Sequence, residues 1–291
     1  MGETATIKFL KWIPLYEEER PFQIFLELPP EAPDQRKTNL TWDEKDITVT
    51  DFRDNAADFQ LDTHGFATRK LEGFSELEND KDINARYIPE VKRMLETELG
   101  DVGTVFVFDW RLRSSRPSLT AEKINFSDPN QLLLPSNYAH IDTCPISVIQ
   151  RIQKSFPNDA AKILRQRIRA VNVWKPLSCP VDEWPLAVCD GTTVKPNDLV
   201  ETDSIRQGSI STNYYVKHNE DQKWYFLQKQ TPDEALIFKH FDSEPGVKAP
   251  FALHSSIKLQ SVPEGAKPRK SIEVRTLIFS EKFRSADEVV L

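Results

Sequence analysis

The second half of the chain is a succession of short apolar or alternating stretches punctuated by proline and glycine, and this constrains the fold more than any other feature. Residues 167–174, 211–217, 223–228, 235–240, 251–254 and 271–279 each have strand length and strand composition. No internal repeat links them. Many short strands joined by turn-rich loops favour a barrel or sandwich. The expected fold is an all-β core with flanking helices, a double-stranded β-helix (jelly roll, cupin-like) with helices packed outside one sheet. Residues 211–217 and 223–228 predict a hairpin across the polar turn His218-Asn219-Glu220-Asp221.

The first half reads differently. Residues 1–60, interrupted by Pro21, Pro29, Pro30 and Pro33, read as an irregular or weakly β N-terminal arm and lid-like extension, leaving 61–291 as the jelly-roll domain. Val91, Met94, Leu95 and Leu99 recur at helical spacing behind Pro89, which predicts an amphipathic helix over 89–99. Residues 103–110 form an apolar, β-branched strand, and 111–135 a long loop with three prolines. Loops of that length in compact domains are commonly functional, so this one and the arm are candidate lids. Residues 146–154 and 158–166 read as helices broken at Pro157.

Composition removes several function classes. Of the 291 residues, 39% are hydrophobic, enough for a substantial core, yet no apolar run approaches the ~18 residues of a membrane span. A net charge of -7 without an extended basic stripe argues against nucleic acid. Three cysteines, Cys144, Cys179 and Cys189, have no metal-ligand spacing and an odd count, which predicts a reduced cytoplasmic protein without a disulfide framework.

The chemistry concentrates at Tyr138-Ala139-His140-Ile141-Asp142. On a strand, His140 and Asp142 point to one face and can chelate a metal together. His254 follows the apolar run Phe251-Ala252-Leu253 and precedes two serines, as a ligand at a barrel mouth would. Two histidines and a carboxylate make a facial triad that holds Fe(II) with positions left open. A lone His-x-Asp is weak evidence and is more simply read as a hydrogen-bonded histidine beside a surface acid, and His240, ending a strand, rivals His254. Further on, Arg269, Ser271, Glu273 and Arg275 share one strand parity, so two guanidiniums and a hydroxyl can face one cavity and grip a carboxylate. The alternative makes Arg275 a partner of Glu273.

Several ordered blocks then resemble one family. They are the His140 segment, Asn172-Val173-Trp174-Lys175-Pro176-Leu177, Pro185-Leu186-Ala187-Val188-Cys189-Asp190, Tyr214-Tyr215-Val216-Lys217-His218, Trp224-Tyr225-Phe226, Pro232-Asp233-Glu234-Ala235-Leu236, Phe241-Asp242-Ser243 and the stretch from Arg269 to Arg275. Over residues 60–280 the chain resembles the fungal and bacterial Fe(II)/2-oxoglutarate-dependent oxygenases that include cephalosporin 7-alpha-hydroxylase-like, gibberellin desaturase-like and fungal meroterpenoid endoperoxygenase-like proteins. The resemblance implies iron on His140, Asp142 and His254, and the 2-oxoglutarate carboxylate on the 269–275 strand, by Arg269 or Arg275 with Ser271. Asn172 and Tyr215 are further candidates for the co-substrate pocket. Lys175 stands where relatives commonly carry arginine. The implied reaction is hydroxylation, desaturation or endoperoxidation of a small natural-product metabolite with O₂. The many aromatic residues and few charged anchors beyond the co-substrate site predict a largely apolar substrate. A homodimer or companion protein is the partner that the resemblance leaves open. Three alternatives stand beside this reading: an inactive jelly-roll binding subunit, a non-haem iron enzyme without 2-oxoglutarate, and a zinc hydrolase on the same ligands.

Overall fold

The computed structural model of the protein describes residues 2–77, 79–116, 128, 130–206 and 208–283. In chain order its strands are β1 (Gly2–Leu10), β2 (Phe22–Ile24), β3 (Trp42–Asp51), β4 (Phe66–Lys70), β5 (Thr104–Ser114), β6 (His140–Ile141), β7 (Ile168–Leu177), β8 (Leu186–Cys189), β9 (Leu199–Arg206), β10 (Ser209–Val216), β11 (Trp224–Phe226), β12 (Glu234–Asp242), β13 (Leu253–Ser256), β14 (Lys258–Leu259) and β15 (Lys270–Phe279). They form two sheets, a ten-stranded one in the order β14-β1-β3-β11-β8-β13-β6-β10-β9-β2 and a five-stranded one in the order β4-β12-β7-β15-β5. This is the jelly-roll-like two-sheet core with flanking helices that the strand pattern predicts.

Strand parity assigns the faces. On the five-stranded sheet Val171, Val173, Val274 and Ile278 point outward, where Val91 and Leu95 of the helix Ile88–Glu98 cover them. That helix begins with Pro89 in its first turn, as its sequence predicts. Lys175 belongs to the same outward row and is fully buried, donating to the carbonyls of Leu71 (3.3 Å) and Phe74 (2.9 Å). Its position marks it as part of the packing, not of the cavity. On the inner face, Trp174 and Phe238 meet Leu186 and Val188 of the large sheet. The helix Pro145–Ser155 closes one end of that inner face with Val148 and Ile152 against Phe106, Leu277 and Phe279.

Three expectations are corrected. The first 60 residues contain two long strands, β1 and β3, paired antiparallel from Gly2↔Thr50 to Leu10↔Trp42 inside the large sheet. Ala5, Ile7, Phe9 and Val49 supply its core, and alternation with charged residues on the solvent side disguised them as a polar run. The 211–228 hairpin does not form. β10 pairs with β9 and β6, and β11 lies between β3 and β8. A polar turn permits a hairpin, but burial of each strand's apolar face selects the partner. Residues 111–114, expected in a loop, continue β5, and Leu133 bridges to Arg113. Residues 117–127 and 129, the middle of the loop expected to serve as a lid, lie outside the described residues.

Two glycines seat the strand that carries His254. A Cβ on Gly191 would lie 1.9 Å from the Phe251 carbonyl oxygen, and one on Gly65, at φ +89°, 2.5 Å from the same atom. Only glycine lets both loops press against the segment that turns into β13.

Candidate metal centre and co-substrate pocket

His254 sits directly opposite His140 across the antiparallel β13–β6 pair, so both imidazoles leave the sheet on one face. Their ring centroids are 4.1 Å apart. β6 ends at Ile141, and Asp142 lies in the bend that follows, so strand periodicity alone does not place it. The bend still returns its carboxylate to the histidines, with Oδ1 3.4 Å from Nε2 of His140. One ligand atom from each of His140, Asp142 and His254 falls within 4.8 Å of the others.

The surroundings fix each ligand for a metal. Nδ1 of His140 donates to the Tyr138 carbonyl at 2.6 Å, which leaves the Nε2 lone pair facing the site. Nδ1 of His254 is buried and has no partner among the described residues. Burial, reinforced by His140, pushes His254 well below the ordinary histidine range and keeps it neutral, as a ligand must be. Burial alone would raise Asp142. Arg275 beside it, then His140 and His254, outweigh that and hold the carboxyl well below its usual range. Its Oδ2 accepts from Nδ2 of Asn172 at 2.9 Å and faces Nη2 of Arg275 at 3.2 Å. Oδ1 is thereby turned toward the histidines.

His240 is placed by a bulge in β12 between Lys239 and Phe241, a device that re-aims a side chain. It accepts the Asp142 backbone N–H on Nδ1 at 3.2 Å, and its Nε2 is 3.9 Å from Oδ2 of Asp142. It therefore backs the carboxylate, while His254 takes the ligand position opposite His140.

Arg269, Ser271, Glu273 and Arg275 share the inner face, as their spacing predicts. Arg275 reaches Asp142, Asp109 at 3.4 Å and Glu273 at 3.7 Å. Asn172 joins the same group by donating to Oε1 of Glu273 at 2.7 Å. Arg269 is 2% exposed, and its guanidinium lies 5.4 Å from the Trp174 ring centre. Its Nη1 donates to Oγ of Ser256 at 3.0 Å and to the Trp184 carbonyl. Its Nε and Nη2, and the Ser271 hydroxyl, are buried without partners among the described residues. Tyr215 lies opposite His140 on the β10 side, and its hydroxyl donates to Gln23 at 3.4 Å.

A cavity of about 330 Å³ opens on His140 and Asp142. Its wall carries Arg111, Arg113, Arg206 and Arg275, which overturns the expectation of few charged anchors beyond the co-substrate site. Sequence reasoning missed Arg111 and Arg113 by ending their strand early. The available signal was the alternation of Asp109, Arg111 and Arg113 with Trp110 and Leu112.

A two-histidine, one-carboxylate face on the inner wall of a jelly roll, with a pocket opening on it, defines a non-haem iron oxygenase. The comparisons with known proteins narrow the class. A family model described as "Oxidoreductase/YMDC permease-like domain" matches residues 7–279. The Fe(II)/2-oxoglutarate-dependent dioxygenase nvfI of Aspergillus novofumigatus is 31% identical over 255 residues, covering 85% of this chain and 87% of that protein. The hydroxylase/desaturase efuI of Hormonema carpetanum is 28% identical over 265 residues, covering 84% of this chain and 86% of that one. The solved structure of the iron and alpha-ketoglutarate-dependent endoperoxidase NvfI superposes with a TM-score of 0.82 at 28% identity, covering 97% of this chain and 99% of that chain. The chain belongs to the Fe(II)/2-oxoglutarate-dependent dioxygenases, and His140, Asp142 and His254 are its iron-binding triad. No helix among the described residues is long and apolar enough to cross a membrane.

Proposed function

We propose that the protein oxidises a small natural-product metabolite at a C–H position, with Arg269 and Ser271 receiving the far carboxylate of 2-oxoglutarate. The observation that carries this reading is the trio of unpartnered buried donors, Nε and Nη2 of Arg269 and Oγ of Ser271. A buried donor without a partner costs about 1–3 kcal/mol, and a carboxylate satisfies all three at once. The bound ferrous ion supplies, with 2-oxoglutarate and O₂, the oxidising power to break a C–H bond. The chain's own residues supply the rest. Tyr138 fixes the His140 tautomer. Asn172 and Arg275 hold one oxygen of Asp142, leaving the other for metal. Ser256, Trp184 and Trp174 pin Arg269 so that its free edge keeps one direction. Tyr215, with its hydroxyl on Gln23, serves as wall, and Asn172 acts through Asp142. Hydroxylation, desaturation and endoperoxidation are outcomes of one site, selected by where the target carbon sits. Work in the cytoplasm belongs to the same proposal, since all three cysteines are free thiols.

The test is anaerobic titration with Fe(II) and 2-oxoglutarate, read by the weak visible charge-transfer band of the chelate. The band forms in the native protein. In Arg269→Ala the 2-oxoglutarate required rises about thirtyfold or more, because a buried cationic contact is lost. An unchanged requirement in a folded Arg269→Ala protein overturns the clamp.

A further inference from the structure

The cavity that opens on the triad carries four arginines, Arg111, Arg113, Arg206 and Arg275, against two lining carboxylates and a third, Glu273, buried behind Arg275 at 3.7 Å. Both lining carboxylates are committed. Asp109 pairs with Arg111 at 3.1 Å and with Arg275 at 3.4 Å. Asp142 pairs with Arg275 and belongs to the three residues placed to hold the metal. Arg113 donates to the Leu134 carbonyl at 2.8 Å and has no ion-pair partner among the described residues. Arg206 comes from the facing sheet, with its guanidinium 4.5 Å from the Phe25 ring centre. A second hollow of about 220 Å³ shares Asp142, Arg206 and Arg275, and adds Arg151 and Lys154 with no further acid.

This excess reverses the balance of a chain whose net charge is -7. Iron(II) and 2-oxoglutarate do not correct it, because together they add no net charge. Burial lowers the proton affinity of both Arg113 and Arg206, and Arg275 and Arg111 add to it, while Glu273 and Asp142 oppose it at Arg113, and Asp142 and Asp109 at Arg206. Guanidinium nevertheless stays protonated, so Arg113, without an ion-pair partner among the described residues, keeps a full positive charge on the cavity wall.

We infer that the substrate is an organic anion whose carboxylate or phosphate is received by Arg113, with Arg206 across the cavity supplying the second positive charge. This rests on the oxygenase reading and names the chemical class of its substrate. The anionic end would anchor on the arginine wall while the body of the molecule extends toward His140 and Asp142.

Binding to Fe(II)- and 2-oxoglutarate-loaded protein without O₂ tests it, by calorimetry. The probes are bicyclic C10–C15 carboxylic acids, the corresponding alkyl phosphates, and the neutral methyl esters of each. At least one anionic series should bind about tenfold or more tightly than its esters. The preference should shrink as salt is raised and fall toward parity in Arg113→Gln and Arg206→Gln. The tighter of the two series identifies the recognised group. Esters binding as tightly as both acids and phosphates in the native protein would overturn the inference. The charge-transfer band, recorded on the same samples, separates this failure from failure of the oxygenase reading, which would lose the band itself.

Discussion

Two buried charged clusters sit within a few residues of each other on β12, and they differ in what they lack. Around Lys239 everything is matched. Its Nζ lies 2.7 Å from both Asp62 and Asp242, and Arg167 contacts the same two acids at 3.1 and 2.7 Å. Around His240 and Asp142 the network is equally dense, yet the wider site retains unpartnered atoms on Arg269, Ser271, His254 and Arg275. A satisfied buried cluster holds the fold together. One with donors left over is built to receive something, because proteins rarely tolerate unmet buried polar groups. Counting charged residues does not separate the two, whereas asking which atoms have partners does.

The contrast can be broken by removing residues from each side. The largest effect belongs to the ligands: His140→Ala or His254→Ala should abolish the iron–2-oxoglutarate band and turnover while leaving thermal unfolding close to native. A band that survives in His140→Ala would undo the ligand assignment. On the other side, Lys239→Met should lower stability by about 1–3 kcal/mol in chemical denaturation, since it removes the buried one of the two cations that share Asp62 and Asp242 and leaves Arg167 to hold both acids. It should leave the band in place. A Lys239→Met protein of native stability would mean that the cluster contributes nothing to the fold. A smaller effect is expected from Asn172→Ala, which removes one of the two contacts that hold Oδ2 of Asp142 and leaves Arg275 as the other. Iron affinity should fall about 10–100-fold with little change in stability, measured by metal titration.

The smallest effect separates the clusters by acid. Burial raises Asp242, but hydrogen bonds from Arg167 and Lys239 outweigh it and keep its folded value below the usual carboxylate range. A depressed folded value means that the contribution is complete above the unfolded value of about 3.9 and is lost as pH falls through the folded one. Stability of the native protein should therefore decline below about pH 4 more steeply than that of Asp242→Asn. Parallel curves for the two proteins would count against the pairing.

Much of this was legible in the sequence for identifiable reasons. The helix Ile88–Glu98 declared itself by its apolar spacing, because it lies on one surface and needs only one stripe. The parity of Arg269, Ser271, Glu273 and Arg275 carried over intact, because Arg269 leads directly into β15, which keeps register with both neighbours from Lys270 to Arg275. The chain order of strands was visible, but not which strand lies beside which. β11 runs parallel to β3, with Trp224 beside Val49 from far earlier in the chain, and no local pattern announces such a partner.

The sequence by itself determined the strand inventory, the inward parity of the 269–275 row and the residue types able to bind iron. Tertiary structure decided the rest. It chose His254 over His240, because cross-strand register set one imidazole opposite His140 and a bulge turned the other behind Asp142. It also gathered arginines from β5, β9 and β15 around a single cavity. Neighbours in a jelly roll are chosen by the burial of whole faces over long loops, and that energy is shared among residues too far apart in the chain to signal one another.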